Sequence, residues 1–366
     1  MIKEVMKKLT WVTLLMICIA ISSSCSKKSD ADKVDKQTGA ATKDVIEQVD
    51  GEPTVIVDED DYKKVVVSVG DQKVYYSEAM IYVQYIKAKY ESYFGDKIWT
   101  YDFGGQTFEE MAKEEIMNMI TQTKLISSKA SEYNVVLTEE EENSIRVNAA
   151  TFLEGVTDED KLLYGFTKEV VEKFYLDNKL YERVYDAATM NVNTDVSNEE
   201  AKQIKIQSVY VPTVTKDDKG VVTPYSEEEK VEALKKAKEL LKKAKETDNF
   251  LQFAQSNSSK DEVEKTFGKT EKGISYSEEA FKLKTGERSD IVETEEGYYI
   301  LYCVSDYDED ATLEKKESII ATRQNKSFQN LFKEWASKEE VKIKDKVWST
   351  IKLVNQVKEE TSEEQK

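Results

Sequence analysis

Phe281-Lys282-Leu283-Lys284-Thr285-Gly286-Glu287-Arg288-Ser289-Asp290-Ile291-Val292, followed by Glu296-Gly297-Tyr298-Tyr299-Ile300-Leu301, is the stretch from which the rest of the chain can be read. Ser289 to Glu293 and Gly297 to Val304 read as two antiparallel strands around a Glu-Glu-Gly turn, because strand-forming residues flank a turn former. The two-residue period of a strand puts Tyr299 on one face with Leu301 and Cys303. Tyr276 stands five residues before Phe281, so aromatic residues lead into the hairpin.

Working outward, Ile204, Ile206 and Val209 to Val211 read as a strand, and Lys216-Asp217-Asp218-Lys219-Gly220 as a polar loop. Ser226 and Glu229 form a capping box for a helix whose expected inner face is Val231, Leu234, Leu241 and Ala244. Its acidic first turn and late lysines suit the helix dipole. Phe250, Leu251, Phe253 and Ala254 open a short helix. Beyond the hairpin, Leu313, Ile320, Phe328, Leu331, Phe332 and Trp335 lie on a long helix from about Thr312 to Lys338.

Nearer the N-terminus, Val65 to Val69, then Gly70-Asp71 and Val74 to Tyr76, suggest a strand and turn. A helix follows from Ser77. Thr107 with Glu110, and Thr138 with Glu141, are two more capping boxes. Residues 139–187 continue as helices with breaks near Gly155 and Gly165. The late apolar stretch Val341, Ile343, Val347, Trp348, Ile351 is placed to pair with the N-terminal strand.

The first residues bear on location. Lys3, Lys7 and Lys8 precede the uncharged run Leu9 to Ile21, and Ser22-Ser23-Ser24-Cys25 closes it. This is the three-part layout of a secretory signal, and its apolar run is far short of the ~20 residues that span a bilayer. A Cys directly after small residues resembles the lipobox of bacterial lipoproteins, which implies acylation of Cys25 and a membrane anchor. Ser22 departs from the Leu usual there. Removal of residues 1–24 takes away Lys3, Lys7, Lys8 and Glu4, so a net charge of −19 becomes −21. Such a chain is repelled by nucleic acid. There is no histidine, which removes His-based triads, bases and metal ligands together. No cofactor or metal site is expected.

The quoted stretch resembles the C-terminal half of the parvulins, a family of peptidyl-prolyl cis-trans isomerases. Their pattern runs A-x-F-x-L-x-x-G-E-x-S, a Val, then G-Y-H-I-I. Phe250 and Ala254 match the family's helix, and Ser259-Lys260-Asp261 is similar to its S-x-D. The whole plan resembles the PrsA- and SurA-type extracytoplasmic foldases. The resemblance implies an α+β fold: a helical chaperone-like domain formed by N- and C-terminal parts, with an inserted parvulin-like domain built as a small antiparallel sheet flanked by helices. The expected divisions are 1–24 signal peptide, 25–60 flexible tether, 61–197 N-terminal helical domain, 198–307 parvulin-like domain, 308–354 returning helix and strand, and 355–366 disordered tail.

Both family histidines are replaced: Ser208 stands at the first, in H-I-L, and Tyr299 at the second. The family's Gly-Gly-Asp-Leu-Gly loop before Phe267 is missing or heavily shortened. Prolyl isomerisation breaks no covalent bond, only the ~18–20 kcal/mol resonance barrier of the amide, so no nucleophile or metal is obligatory. The candidate pocket is Ser208, Asp261, Tyr276, Phe281, Leu283 and Tyr299, residues that would equally serve as plain core or loop contacts. Three functions stay open. One is a membrane-tethered foldase or chaperone for unfolded, newly exported polypeptides, with isomerase activity weak or lost. Its helical domain would offer Met111, Met117, Met119, Tyr82, Tyr85, Tyr90 and Tyr93 as an adaptable apolar surface. A second is an active isomerase with a histidine-free pocket. A third is a structural or docking lipoprotein. By family analogy alone, a homodimer through the helical domain is a further expectation.

Overall fold

The computed structural model describes residues 59–269 and 274–354. Cys25, the signal, the tether and the tail after 354 lie outside the described residues. The chain is mixed helix and sheet, and it divides into two compact units: one runs to Met190 and resumes at Phe328, the other is Asn191–Ser327.

In the first unit, β1 (Val65–Val69) is the expected strand, and after the turn β2 (Gln72–Tyr75) pairs back on it as a hairpin. Gly70 turns it with φ +53°, a conformation that costs glycine little. Five helices follow: α1 (Tyr76–Phe94), α2 (Phe108–Ser127), α3 (Glu139–Glu154), α4 (Asp158–Tyr164) and α5 (Lys168–Thr189). Both capping boxes are formed, with Thr107 accepting from the Glu110 amide and Thr138 from that of Glu141. Gly165, with φ +69°, ends α4. The core between these helices includes Tyr82, Ile86, Trp99, Ile116, Ile120 and Phe174.

One charged cluster lies inside this core. The Lys124 ammonium is fully buried and pairs with Glu78 and Asp177. Lys173 reaches Asp177 from the rim at 2.9 Å. Such a cluster ties α1, α2 and α5 together, because each charge is compensated only while all three helices stay in place.

In the second unit, β3 (Gln203–Pro212) and β4 (Val214–Lys216) are followed by β5 (Val222–Pro224), α6 (Glu227–Glu246), α7 (Phe250–Asn257) and β6 (Glu264–Gly268). Then come α8 (Ile274–Ala280), β7 (Val292–Thr294) and β8 (Gly297–Ser305). The sheet is antiparallel in the order β6-β3-β8-β7. Val209, Val211, Tyr298 and Ile300 face α6 and α7. Ile206, Tyr210, Tyr299, Leu301 and Cys303 face α8. That split follows from register: Val209 opposes Ile300, and Tyr210 opposes Tyr299, and opposed residues of an antiparallel pair share a face. Gly297 starts β8 so close to the Val211 carbonyl that a Cβ there would collide with it.

The helix α9 (Glu309–Lys338) begins in this unit, and its residues from Phe328 onward belong to the first. Phe328 and Trp335 join the first core, at 4.8 Å from Tyr185 and 5.7 Å from Tyr133 between ring centroids. The last strand, β9 (Val341–Ile343), pairs with β1 through Val67↔Ile343 and Val69↔Val341. The end of the chain thus returns to its beginning, as the late apolar stretch predicts.

Several expectations need correction. Asp217 to Gly220 lie in the expected polar loop, which joins β4 to β5 as a hairpin, while Lys216 itself ends β4. The buried stripe of α6 is Ala233, Ala237, Leu240 and Ala244, with Leu234 and Leu241 only partly covered and Val231 exposed. The small alanines allow the close helix–sheet approach that a Val stripe would prevent. Leu313 is exposed on α9. Met117 and Tyr82 are core rather than adaptable surface, whereas Tyr93 is 79% exposed.

Candidate prolyl-peptide site on the four-stranded sheet

The site is built on the α8 side of the sheet. Ser208 opposes Leu301 and Tyr210 opposes Tyr299, so all four side chains share one face. Across it, α8 brings Tyr276, and the turn after it brings Phe281 and Leu283 against the same cluster. The rings form a continuous set. Tyr210 and Tyr299 lie 4.7 Å apart at a 33° tilt, and Tyr276 meets Tyr299 edge-on at 5.0 Å. Phe267 bridges Tyr276 at 5.7 Å and Phe281 at 6.2 Å. Edge-on and tilted pairs suit the aromatic quadrupole.

Five of the six residues predicted from sequence therefore meet: Ser208, Tyr276, Phe281, Leu283 and Tyr299. Asp261 stays exposed in the loop after α7, and its neighbour Lys260 takes the place beside the tyrosines. The Lys260 ammonium donates to the Tyr299 hydroxyl at 2.7 Å and pairs with Glu296 at 3.2 Å. It also stands 4.2 Å from the Tyr210 ring centre and 5.3 Å from that of Tyr299, a cation–π arrangement. Its loop is pinned to β3, because the Ser259 amide donates to the Tyr210 carbonyl at 2.9 Å and the Tyr210 amide to Ser258 Oγ at 3.1 Å.

Sequence reasoning missed Tyr210 and Lys260. Counting two residues along β3 from Ser208 finds Tyr210. Nothing local distinguishes Lys260, since its partners lie far along the chain at Tyr299 and Glu296.

The hydroxyls stay protonated at neutral pH. Burial pushes Tyr299 up to about 12, with the Glu296 charge adding to it. Burial does the same to Tyr210, also at about 12, against the opposing pull of Lys260. Tyr276 is raised to about 12 by burial, while a hydrogen bond with Ser208 acts the other way. Burial lifts the Cys303 thiol to about 11, so it behaves as a small buried hydrophobe. The face thus offers aromatic surface, neutral hydroxyls and the Lys260 cation, with no activated nucleophile among the described residues. Among the described residues no cluster of three or more His, Cys, Asp or Glu could hold a metal ion.

Residues 216–305 match the family described as Rotamase: PPIC-type PPIASE domain. They form a parvulin domain. The match includes Tyr276, Phe281, Leu283 and Tyr299 and begins after β3, so Ser208 and Tyr210 join the parvulin face through strand pairing. The chain is also similar to Foldase protein PrsA of Clostridium botulinum. It is 23% identical over 368 residues to that of strain Langeland, covering 93% of this chain and 98% of the relative. For strain Okra the identity is 25% with the same coverage. Among solved structures it resembles foldase PrsA of Streptococcus pneumoniae at 19% identity and TM-score 0.31, covering 68% of this chain and 97% of that one. For Foldase Protein (PrsA) of Lactococcus lactis the values are 15% and 0.33, covering 78% and 98%. No helix among the described residues is long and apolar enough to cross a membrane.

Proposed function

We propose that this protein is a foldase and chaperone of exported polypeptides, working outside the cytoplasm and tethered to the membrane through an acylated Cys25. The observation that carries this reading is the match to PrsA foldases along 93% of the chain, with a parvulin domain at residues 216–305. The signal-like start and Ser22-Ser23-Ser24-Cys25 support the location and the anchor.

The aromatic face of the parvulin domain is the proposed seat for a client's prolyl segment. A proline ring needs apolar walls, which Tyr276, Phe281 and Leu283 supply. The amide beside it needs poorly solvated hydrogen-bonding groups, which Ser208 and Tyr299 supply. Without histidine, this face acts by excluding water and by neutral donors, so turnover is expected to be slow.

The test uses the full-length chain in detergent, with two readouts. One is cis–trans exchange of a proline tetrapeptide, followed by NMR. The other is the aggregation of a reduced, unfolded client protein. Suppressed aggregation with slow isomerisation supports the foldase reading. Neither effect, with the fold intact by circular dichroism, overturns it and leaves a docking lipoprotein. Mass spectrometry of the membrane-extracted protein tests the anchor. A free, unmodified Cys25 would remove the tether from the proposal.

A further inference from the structure

We infer that Lys260 is the positioning residue of the prolyl site, holding the Tyr299 hydroxyl as a proton donor directed at the bound peptide. This rests on the aromatic face being that site.

Hydrogen-bond direction fixes the role of each group. A lysine ammonium donates and cannot accept. In the 2.7 Å bond between Lys260 Nζ and Tyr299 Oη, the tyrosine oxygen is therefore the acceptor. The hydroxyl proton is left over, and among the described residues the Tyr299 hydroxyl makes no other hydrogen bond. A free phenol can rotate its proton and choose to accept or donate. One already accepting from a cation is biased toward donating, and its proton becomes more polar because charge-assisted hydrogen bonds polarise the acceptor.

The lysine is itself held. Its ammonium stands over the Tyr210 ring at 4.2 Å and pairs with Glu296 at 3.2 Å. The loop under it is fastened to β3 by the Ser259 amide and by Ser258 Oγ. Yet its side chain remains 46% exposed, so none of these contacts is needed to fill a core. A long surface lysine ordered by a ring, a carboxylate and a hydroxyl at once is more constrained than stability alone requires.

The chemistry fits the reaction. In a planar prolyl amide the nitrogen lone pair is delocalised into the carbonyl. In the twisted state that lone pair localises on nitrogen, which then accepts a hydrogen bond. A donor placed there favours the twisted state over the planar one, and only such differential binding speeds the step. Nothing is broken, oxidised or transferred.

The test compares wild type with Lys260→Met, Lys260→Arg, Tyr299→Phe and the Lys260→Met/Tyr299→Phe pair, as full-length chains in detergent. It uses proline tetrapeptide exchange and peptide titration of 13C-tyrosine-labelled protein. Lys260→Met is expected to lower kcat by about tenfold with KM little changed, the pattern of a contact made in the transition state alone. Lys260→Arg should restore most of the rate, and the double variant should be no slower than Tyr299→Phe. Wild-type kcat in Lys260→Met, or losses that multiply in the double variant, would overturn the proposal. Should wild type show no acceleration, the isomerase reading fails separately, and the 13C-tyrosine titration decides. A peptide-induced shift of the Tyr299 signal that Lys260→Met removes and Lys260→Arg restores keeps Lys260 as the positioning residue, and a shift unchanged in Lys260→Met discards it.

Discussion

Tyr210 and Tyr299 face each other across β3 and β8 with ring centroids 4.7 Å apart. This pairing makes the sheet face aromatic without needing help from any other element. It also separates the role of the ring from that of the hydroxyl. Tyr299→Phe keeps the contacts with Tyr210 and Tyr276 and should change stability by no more than about 1 kcal/mol, the usual net worth of one hydrogen bond. Tyr299→Ala leaves a gap between two rings and should cost about 3 kcal/mol. Urea unfolding followed by tyrosine signals measures both. Equal losses would mean that the hydroxyl, not the ring, holds this face together.

Lys124 is the keystone of the helical unit. Lys124→Met leaves the Glu78 and Asp177 carboxylates facing each other without the fully buried cation that pairs with both, at an expected cost of about 3–5 kcal/mol. Adding Glu78→Gln should recover part of that loss, because Asp177 still has Lys173 at 2.9 Å. Tryptophan fluorescence reads this unit selectively, since Trp99, Trp335 and Trp348 all belong to it and the parvulin-containing unit has none.

The pH dependence of that unit follows from Glu78, whose carboxyl is raised by burial even against the pull of Lys124. The folded state keeps this proton at a pH where the unfolded chain has released it. Its contribution to stability is complete below the ordinary carboxylate range and is lost as pH rises through the raised value. Glu78→Gln removes this loss. Between pH 4 and neutrality, stability of the variant minus that of wild type should increase, as read by tryptophan-monitored unfolding. A flat difference would show that Glu78 titrates normally.

Arg323 pins the segment that leads into β3. It donates to the Asn193 and Asp195 carbonyls at 3.2 and 2.9 Å and to both Glu200 oxygens at 2.7 and 2.9 Å. Arg323→Ala frees four acceptors at once. Hydrogen exchange across residues 193–200 should quicken by about tenfold or more, while β3 and β8 keep their protection. Unchanged exchange would place the restraint elsewhere.

Helix starts are a simpler case. Ser226→Ala removes the acceptor of the Glu229 amide at 3.3 Å and should cost about 1 kcal/mol, as caps generally do. Ser226→Asp should restore it.

The parts legible in the sequence share a short range. Thr107, Thr138 and Ser226 announce helices because a cap acts over three residues. The β1–β2 and β7–β8 hairpins are legible because alternation and turn residues sit side by side. Ser208 and Tyr299 are traceable through strand patterns that resemble those of parvulins. Lys260 is not traceable in that way. A charged residue in a polar loop looks like any other until the fold brings Tyr299 and Tyr210 beneath it.

By itself, then, the sequence determined the helix caps, the hairpins, the absence of histidine chemistry and the aromatic run from Tyr276 to Tyr299. Tertiary structure alone decided that Lys124 is buried between two carboxylates and that Lys260 rather than Asp261 meets the tyrosines. Capping and alternation are energies between neighbours in the chain. Burial of a charge and the choice of a hydrogen-bond partner depend on groups that only folding brings within 3 Å or so of each other.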